Sequence, residues 1–307
     1  MRVIRQPSEL EIRDAPVCVA LGFFDGVHFG HQAVLAQTLA DAAEWQALPV
    51  VITFDQHPSS VIAPEHAPAL VYPLEKRLQV LQDCGIRAAL LLHFDLALSR
   101  VRAPDFIRQL TSDFGRLASV SVGMNFGFGH RRAGNFELLK EMSGPLGFQA
   151  RGVAPVQFAG GPVSSTRVRD AIREGRFDLA GDLLGRPYSL AGTVVKGDQR
   201  GRQLGFPTAN LDVSGLAIPP GGVYAAKAKI GSAWHPAAVN IGHRPTLDSN
   251  SSSLRVEAHL LDFSGNLYGS SLELVFLAKL REEIRFSTLE ALQSQIKDDI
   301  ASARRFF

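Results

Sequence analysis

The pattern of apolar residues changes once along the chain, near residue 185, and that break constrains the fold more than any other feature. Before it, short apolar runs alternate with stretches of helical periodicity. Val17–Leu21, Val50–Phe54, Ala88–Phe94 and Ser119–Val122 read as strands. His31–Trp45, Leu74–Cys84, Pro104–Phe114 and Asn135–Met142 read as helices, the first with Val34, Leu35, Leu39 and Ala42 on one face. Strand–helix alternation predicts parallel strands joined by crossover helices, hence a doubly wound, Rossmann-like α/β domain over residues 1–185. Ligands of such sheets sit beyond the carboxyl ends of the strands. Chemistry is therefore expected in the loops after Leu21, Phe54 and Val122.

After the break the runs are β-rich and punctuated by Gly, Pro, Asn and Asp: Ser189–Lys196, Val223–Ile230, Ala237–Ile241, Leu254–Phe263 and Leu272–Leu280. This pattern predicts an antiparallel barrel or sandwich over residues 186–307. A helix closes the chain. Ser287 and Glu290 have capping-box spacing, and Leu289, Leu292, Ile296 and Ile300 form an apolar stripe behind them. Gly185 and Pro187 mark the junction, and Asp248–Ser253 reads as a mobile loop.

Several function classes are disfavoured early. With 32 Lys+Arg against 30 Asp+Glu, the net charge of +2 is too balanced for nucleic-acid binding through bulk electrostatics. The N-terminal residues lack the apolar core of a signal peptide, and no apolar run approaches the length that spans a bilayer. Cys18 and Cys84 sit in apolar stretches, outside any CxxC or Cys/His cluster, and read as buried free thiols. These features together predict a cytoplasmic protein without a membrane partner.

The first strand runs into Gly22-Phe-Phe-Asp-Gly-Val-His-Phe-Gly-His31. Asp25-Gly26 is a turn signal and Gly30 opens a helix. A helix N-terminus offers unpaired N–H groups and partial positive charge to phosphate. His28 and His31, three residues apart, can lie on one side of that terminus and donate to phosphate oxygens. Incidental histidines in a glycine-rich turn would look the same. Downstream, Ser164-Ser-Thr-Arg-Val-Arg169 reads either as an N-cap with a basic first turn or as a phosphate clamp built from Arg167 and Arg169.

In the second half, Gly192-Thr-Val-Val-Lys-Gly197 approaches a P-loop. However, Asp198-Gln199 replaces the Lys-Ser/Thr pair that a P-loop needs, so Walker A is rejected. Gly197, Gly201 and Gly205 would let backbone approach phosphate closely. Thr208 and Asn210 lie two apart in an extended segment and so point to one side, as hard oxygen ligands suited to ATP-bound Mg²⁺. A barrel turn with a kink is the plainer alternative. Glu257 shares a strand face with Arg255 and His259, opposite Leu254, Val256, Ala258 and Leu260. It fits a general base for a primary alcohol, or a solvated strand face.

Taken in order, these segments resemble a known family. The string Gly22–His31 is similar to the HxGH signature of nucleotidylyltransferases, in the GxFDGxHxGH form of bacterial bifunctional riboflavin kinase/FMN adenylyltransferases. Thr53–Pro58 resembles that family's TFxxHP segment, Val122–Gly129 its VGxxFxFG loop and Ser164–Arg169 its SSTRIR motif. GRPYSLAGTVVKGDQRGRQLGFPTAN, NIGHRPT and LREEIRFSTLEAL resemble the riboflavin kinase module. The resemblance covers roughly the whole chain. It departs at Phe23, Gln56 and Gly127, where Asn, Pro and Arg are common.

The resemblance implies a six-stranded β-barrel in the second half and two activities: riboflavin to FMN, then FMN to FAD, with ATP used twice. ATP contacts are implied at Gly22, Phe24, Asp25, Gly30, Ser164, Thr166, Arg167 and Arg169, and in the barrel at Gly197, Gly201, Gly205, Thr208 and Asn210. It also implies flavin contacts at His57, Pro58 and Asn125, Mg²⁺ on Thr208 and Asn210, and catalytic roles for His28, His31 and Glu257.

Overall fold

The computed structural model describes residues 1–10, 15–243 and 254–307. In chain order the first part contains β1 (Arg2–Ile4), β2 (Val17–Leu21), α1 (Phe29–Glu44), β3 (Leu48–Phe54), α2 (Pro58–Ile62) and α3 (Leu74–Asp83). Then come β4 (Ala88–Leu92), α4 (Leu96–Ser99), α5 (Ala103–Phe114), β5 (Leu117–Gly123), α6 (Phe136–Leu146) and β6 (Gln149–Val153). A small hairpin, β7 (Gln157–Phe158) and β8 (Gly161–Pro162), precedes α7 (Ser165–Arg173) and α8 (Phe177–Leu184).

The six long-range strands form one parallel sheet in the order β1-β4-β3-β2-β5-β6. All five residues of β2 are buried, as expected for a parallel strand covered on both faces. The core joins Val19, Val50, Ile52, Leu90 and Val120 to Ile107, Leu110 and Leu139 from the helices. The chain builds outward from β2 through β3 to β4, then returns to β2's other side for β5. The topological switch point thus lies between β2 and β5, and the loops after Leu21 and Gly123 open there. The four strands read from sequence are all present. The edge strands β1 and β6 escaped that reading because RVI and QARGV interleave polar residues and lack a full apolar run.

The second part holds β9 (Ser189–Val195), α9 (Arg200–Gln203), β10 (Ala209–Asp212), β11 (Gly222–Ile230), β12 (Ala233–His243), β13 (Leu254–Leu260), β14 (Ser271–Arg281) and α10 (Leu289–Arg304). Its strands close an antiparallel barrel in the order β10-β13-β12-β11-β14-β9. A barrel of six strands has a narrow lumen, so small side chains fill it. Ala226, Ala228, Ala237 and Ala258 are buried. The sixth strand, β10, was hidden in sequence because Asn210 and Asp212 are poor strand formers. The loop Asp248–Ser253 lies outside the described residues.

Two local readings change. The cap of α10 is Thr288, whose Oγ1 accepts from the Ala291 amide at 3.2 Å, rather than Ser287. Either hydroxyl can cap, and packing decides the helix's rotation. Ala303 and Ile300 seat against Ala225, Ala238 and Leu261, which leaves Leu289 63% exposed and off the buried stripe. Cys18 is buried on β2, whereas Cys84, closing α3, is only half-buried; both are free thiols.

Spatially compact units divide the chain as Met1–Val168 with Leu183–Gly185, and Arg169–Asp182 with Arg186–Phe307. Each is described by itself below.

Candidate functional sites

The first site starts where β2 ends. The chain turns through left-handed backbone at Phe24 (φ 59°) and Gly26 (φ 77°). Only glycine suits position 26, because a Cβ there would also lie 3.1 Å from Val71 and 3.3 Å from Leu184. Asp25 is buried, and its carboxylate accepts from the amides of Val71 at 2.9 Å and Tyr72 at 3.4 Å. Its carbonyl accepts from the Ser165 hydroxyl at 3.0 Å. The carboxylate of Asp25 therefore braces the turn from inside.

The turn delivers His28 as the N-cap of α1, its Nδ1 accepting from the His31 amide at 3.3 Å. With Nδ1 as acceptor, the proton of a neutral imidazole sits on Nε2. The two imidazoles stack with centroids 3.7 Å apart and planes 14° from parallel, and Phe24 meets His31 edge-on at 5.2 Å. Gly30 permits this stack, since a Cβ there would press on the His28 ring at 3.1 Å and the Val163 carbonyl at 3.3 Å.

Beside this turn, a cavity of about 470 Å³ lies at the carboxyl ends of β2 to β5. Phe23, Phe54, Phe94, Phe106, Phe126 and Phe128 give it aromatic walls. Thr53 ties the wall together by donating to the Phe23 carbonyl at 2.9 Å, and Gln56 does so by donating to the Phe94 carbonyl at 2.8 Å. Gln56, one of the departures from the resemblance, thus serves as a brace between the β3 and β4 loops. His57 caps α2 through Nδ1, which accepts from the Ser59 amide at 3.1 Å, and with Pro58 it lines the cavity. Asn125 sits at the exposed tip of the β5 loop, outside the cavity lining.

Ser164 and Arg167 both have partners within the protein. Ser164 Oγ accepts from the Arg167 amide at 3.3 Å, capping α7. The Arg167 guanidinium donates to the carbonyls of Phe158, Gly161 and Pro162 at 2.8–3.0 Å and so binds the β7–β8 hairpin. Thr166 is exposed in the first turn of α7.

The sequence reading missed Arg77. It is almost fully buried on α3, its guanidinium 4.2 Å above the Phe23 ring and donating to the Phe54 carbonyl. Burial lowers its pKa to about 10, against the pull of Asp25 and Asp55, and it remains a cation at neutral pH. The available signal was a charge at helical spacing with Leu74 and Leu81 on an otherwise apolar face.

The barrel site is set by register. Asn210 pairs with Glu257 across β10 and β13, and Asn240 pairs with Glu257 across β12 and β13. Residues directly opposite share one sheet face. Thr208, two residues before Asn210 and just ahead of β10, donates to Glu257 Oε2 at 3.4 Å. Arg255 pairs with Asp198 at 3.0 Å and stands 3.9 Å from Glu257. The loop glycines allow close packing: a Cβ on Gly197 would collide with the Asn210 amide, and one on Gly201 would lie 3.3 Å from Thr208 Oγ1. Gly205 takes a left-handed φ of 87° where α9 ends.

Thr208 lines three adjoining cavities. One of about 610 Å³ runs past Val194, Arg202, Pro207 and Phe263. A second, about 280 Å³, holds Phe206, Glu257, His259, Ile284 and Phe286, with the Arg281–Asp299 ion pair in its wall. A third, about 200 Å³ and polar, adds Asn210 and Asp198 and shares Asn240, Glu257 and Glu283 with the second. Glu283 and Asn240 were not singled out in sequence. The hydroxyl of Thr208, the amide of Asn210 and the carboxylates of this cavity offer hard oxygen donors of the kind that suits Mg²⁺. Among the described residues no cluster of three His, Cys, Asp or Glu forms a closed metal cage.

Comparison with known proteins covers both parts of the chain. A family model described as FAD synthetase matches residues 11–167, and one described as riboflavin kinase matches residues 184–307. The bifunctional riboflavin kinase/FMN adenylyltransferase of Pseudomonas fluorescens is 40% identical over 94% of this chain and 92% of its own. The chain belongs to that bifunctional family. Its Escherichia coli K12 member is 37% identical over 100% of this chain and 98% of its own. A crystal structure described as a macrolide-efflux protein from Streptococcus pneumoniae matches with a TM-score of 0.81 and 29% identity, over 98% of both chains. Among the described residues here, no helix is long and apolar enough to cross a membrane. In family terms, the HxGH turn and the aromatic cavity fall within the FAD synthetase match, and Thr208, Asn210 and Glu257 within the riboflavin kinase match.

Proposed function

We propose that the barrel phosphorylates riboflavin at the site of Thr208, Asn210 and Glu257, and that the α/β domain adenylylates FMN at His28 and His31. The observation that carries the kinase half is the Thr208–Glu257 contact of 3.4 Å where three cavities meet. The largest cavity takes ATP, and the one walled by Phe206, Ile284 and Phe286 takes the flavin ring. Glu257 Oε2 receives the proton of the ribityl primary hydroxyl as its oxygen bonds to the γ-phosphorus of ATP, and ADP leaves. Thr208 and Asn210 would hold Mg²⁺, which neutralises phosphate charge when bound with ATP.

In the α/β domain, an FMN phosphate oxygen bonds to the α-phosphorus of a second ATP, and pyrophosphate departs with the electrons of the broken P–O bond. His28, with its proton on Nε2, donates to the charge that builds on the transferring group. His31, stacked beside it, is the second donor. Ser164 and Arg167 act here as scaffold, and Arg169 is the motif's cation for the triphosphate. Free thiols and two ATP-consuming reactions support a cytoplasmic setting.

The decisive assay incubates the protein with riboflavin, ATP and Mg²⁺ and separates the flavins by chromatography. FMN should appear first and FAD after it. Unchanged riboflavin would refute the kinase site, and FMN that never proceeds to FAD would refute the adenylyltransferase site.

A further inference from the structure

We propose that Arg132, with Arg131 beside it, makes the aromatic cavity of the α/β domain select a phosphorylated flavin over the bare ring. The inference rests on the adenylyltransferase reading of that domain and adds a specificity-determining residue to it.

Charge carries the first part. Among the described residues, the cavity's lining includes six phenylalanines but no aspartate or glutamate, and its only arginines are Arg131 and Arg132. Neither arginine forms an ion pair with any described residue. An apolar, flat-walled cavity whose fixed charge is positive and uncompensated suits a planar aromatic ligand that carries an anion. FMN is such a ligand; riboflavin has the same ring and ribityl chain without the anion. An arginine fork matches phosphate geometry in two parallel hydrogen bonds, which a hydroxyl cannot reproduce.

The backbone carries the second part. Arg131 and Arg132 both adopt left-handed backbone, at φ 54° and 57°, where non-glycine residues are uncommon. The surrounding loop is pinned on several sides. His130 donates its amide to the Val101 carbonyl at 2.8 Å, Arg132 donates to Gly129 at 2.9 Å, and Phe128 exchanges two backbone bonds with Gly134. Gly129 and Gly134 press on Ala103 so closely that a Cβ on either would fall within 2.6 Å of it. The loop therefore holds two consecutive arginines at the cavity in a conformation their own preferences oppose.

Gly127 carries the third part. A Cβ built there would lie 3.0 Å from Arg132 Nε, 3.2 Å from its Cβ and 3.3 Å from Nη2. The Arg132 side chain thus lies across the bare backbone of Gly127, in the space that a side chain at 127 would claim. The position that departs from the family resemblance by lacking an arginine is covered by an arginine five residues on.

The test follows FAD formation from supplied FMN and ATP by the full chain, with lumiflavin as competitor. Lumiflavin has the ring system but no ribityl chain, so the kinase cannot phosphorylate it. Arg132→Ala should raise the KM for FMN about 10–100-fold, the worth of hydrogen bonds to a charged group. Inhibition by lumiflavin should stay unchanged. Arg132→Lys should fall between, because it keeps charge but loses the fork. Gly127→Ala, which pushes on Arg132 without removing it, should shift KM in the same direction by less. If lumiflavin inhibition weakens in step with FMN, Arg132 only shapes the cavity and the proposal is wrong. An unchanged KM in Arg132→Ala overturns it as well. Absence of FAD formation by the unaltered chain would instead remove the adenylyltransferase reading, and this inference with it.

Discussion

The Thr208 hydroxyl points at Glu257, Oγ1 to Oε2 at 3.4 Å, from the residue just before β10 to the middle of β13. The contact joins a proposed metal ligand to a proposed base, and it exists because the Asn210–Glu257 register places both on one face. Glu257→Gln keeps size and hydrogen bonding but accepts no proton. FMN formation should fall about 10²–10⁴-fold, in kcat more than in riboflavin KM. FAD formation from supplied FMN should persist. Normal kinase turnover in this variant would reduce Glu257 to a solvated strand residue.

His28 has a structural and a chemical task, and two substitutions separate them. As N-cap it accepts the His31 amide, so His28→Ala should cost about 1 kcal/mol of stability as well as about 10²–10³-fold in FAD formation. Asn is a better cap than Ala but is no imidazole. His28→Asn should therefore recover the melting temperature while leaving FAD formation low. Activity that returned along with stability would assign His28 to the cap alone.

Arg281 and Asp299 form a two-pronged ion pair, Nε to Oδ1 at 2.8 Å and Nη2 to Oδ2 at 2.6 Å, with Gln295 also donating to Oδ1 at 3.0 Å. Asp299 is 7% exposed and lines the cavity assigned to riboflavin. Asp299→Ala strands a largely buried guanidinium and should cost about 2–4 kcal/mol, below the limit for a fully buried pair because Arg281 keeps some solvent. Riboflavin KM should rise too. Arg281→Met added to that variant should restore part of the stability by removing the stranded charge, measured by denaturant titration. Full additivity of the two single losses would show that the pair is not coupled.

Asp55 and His93 link the ends of β3 and β4, Nδ1 to Oδ2 at 2.7 Å. Burial pulls the Asp55 carboxyl up, but bonds from His93 and the Phe94 amide outweigh it and hold it below 3.8. Hydrogen bonding to Asp55 raises His93 above 6.5. The signs give a window. The raised His93 contributes stability below its unfolded value, and that contribution is lost as pH climbs through the folded one. The lowered Asp55 contributes above its unfolded value, and loses it as pH falls. The pair should therefore help between roughly pH 4 and 6.5, modestly, since His93 is exposed. Proton NMR of the His93 ring should give a titration midpoint above 6.5 that drops in Asp55→Asn. A midpoint indifferent to that substitution would show the pair is not formed in solution.

How much of this was legible in the chain depended on whether a residue's role was local. β2, whose VCVAL run is buried throughout, and the HxGH turn announce themselves because pattern and position suffice. β10 was legible only as an extended stretch, since its pairing with β9 and β13 supplies the stability that Asn210 and Asp212 do not. Arg167 read either as part of a basic first turn or as a phosphate ligand because arginine there serves either use, and only the fold brings the β7–β8 carbonyls to it. Arg132 and Gly127 were similarly opaque: what matters is that one lies across the other, and a five-residue spacing through left-handed backbone has no sequence periodicity.

Where the chain can be cut follows from Phe177. A cut at 185/186, the division expected from the change in pattern, removes α8 from the barrel fragment. Yet Phe177 stacks on Phe276 at 5.1 Å and Tyr188 at 6.1 Å, and meets Tyr224 edge-on at 5.9 Å. Those three partners are all buried barrel residues. A fragment of residues 169–307 should therefore be more stable than one of 186–307 by at least about 1–3 kcal/mol, the worth of one half-buried aromatic ring, before other α7 and α8 contacts are counted. Phe177→Ala in the full chain should lose a similar amount from the barrel's transition, since the ring leaves a cavity among its partners. Both fragments that fold should still make FMN, because the cavities around Thr208 are lined wholly by residues between Val194 and Ile300. Equal denaturation midpoints for the two fragments would show that the aromatic cluster closes without Phe177, and that residue 185 marks the physical boundary as well as the change in pattern.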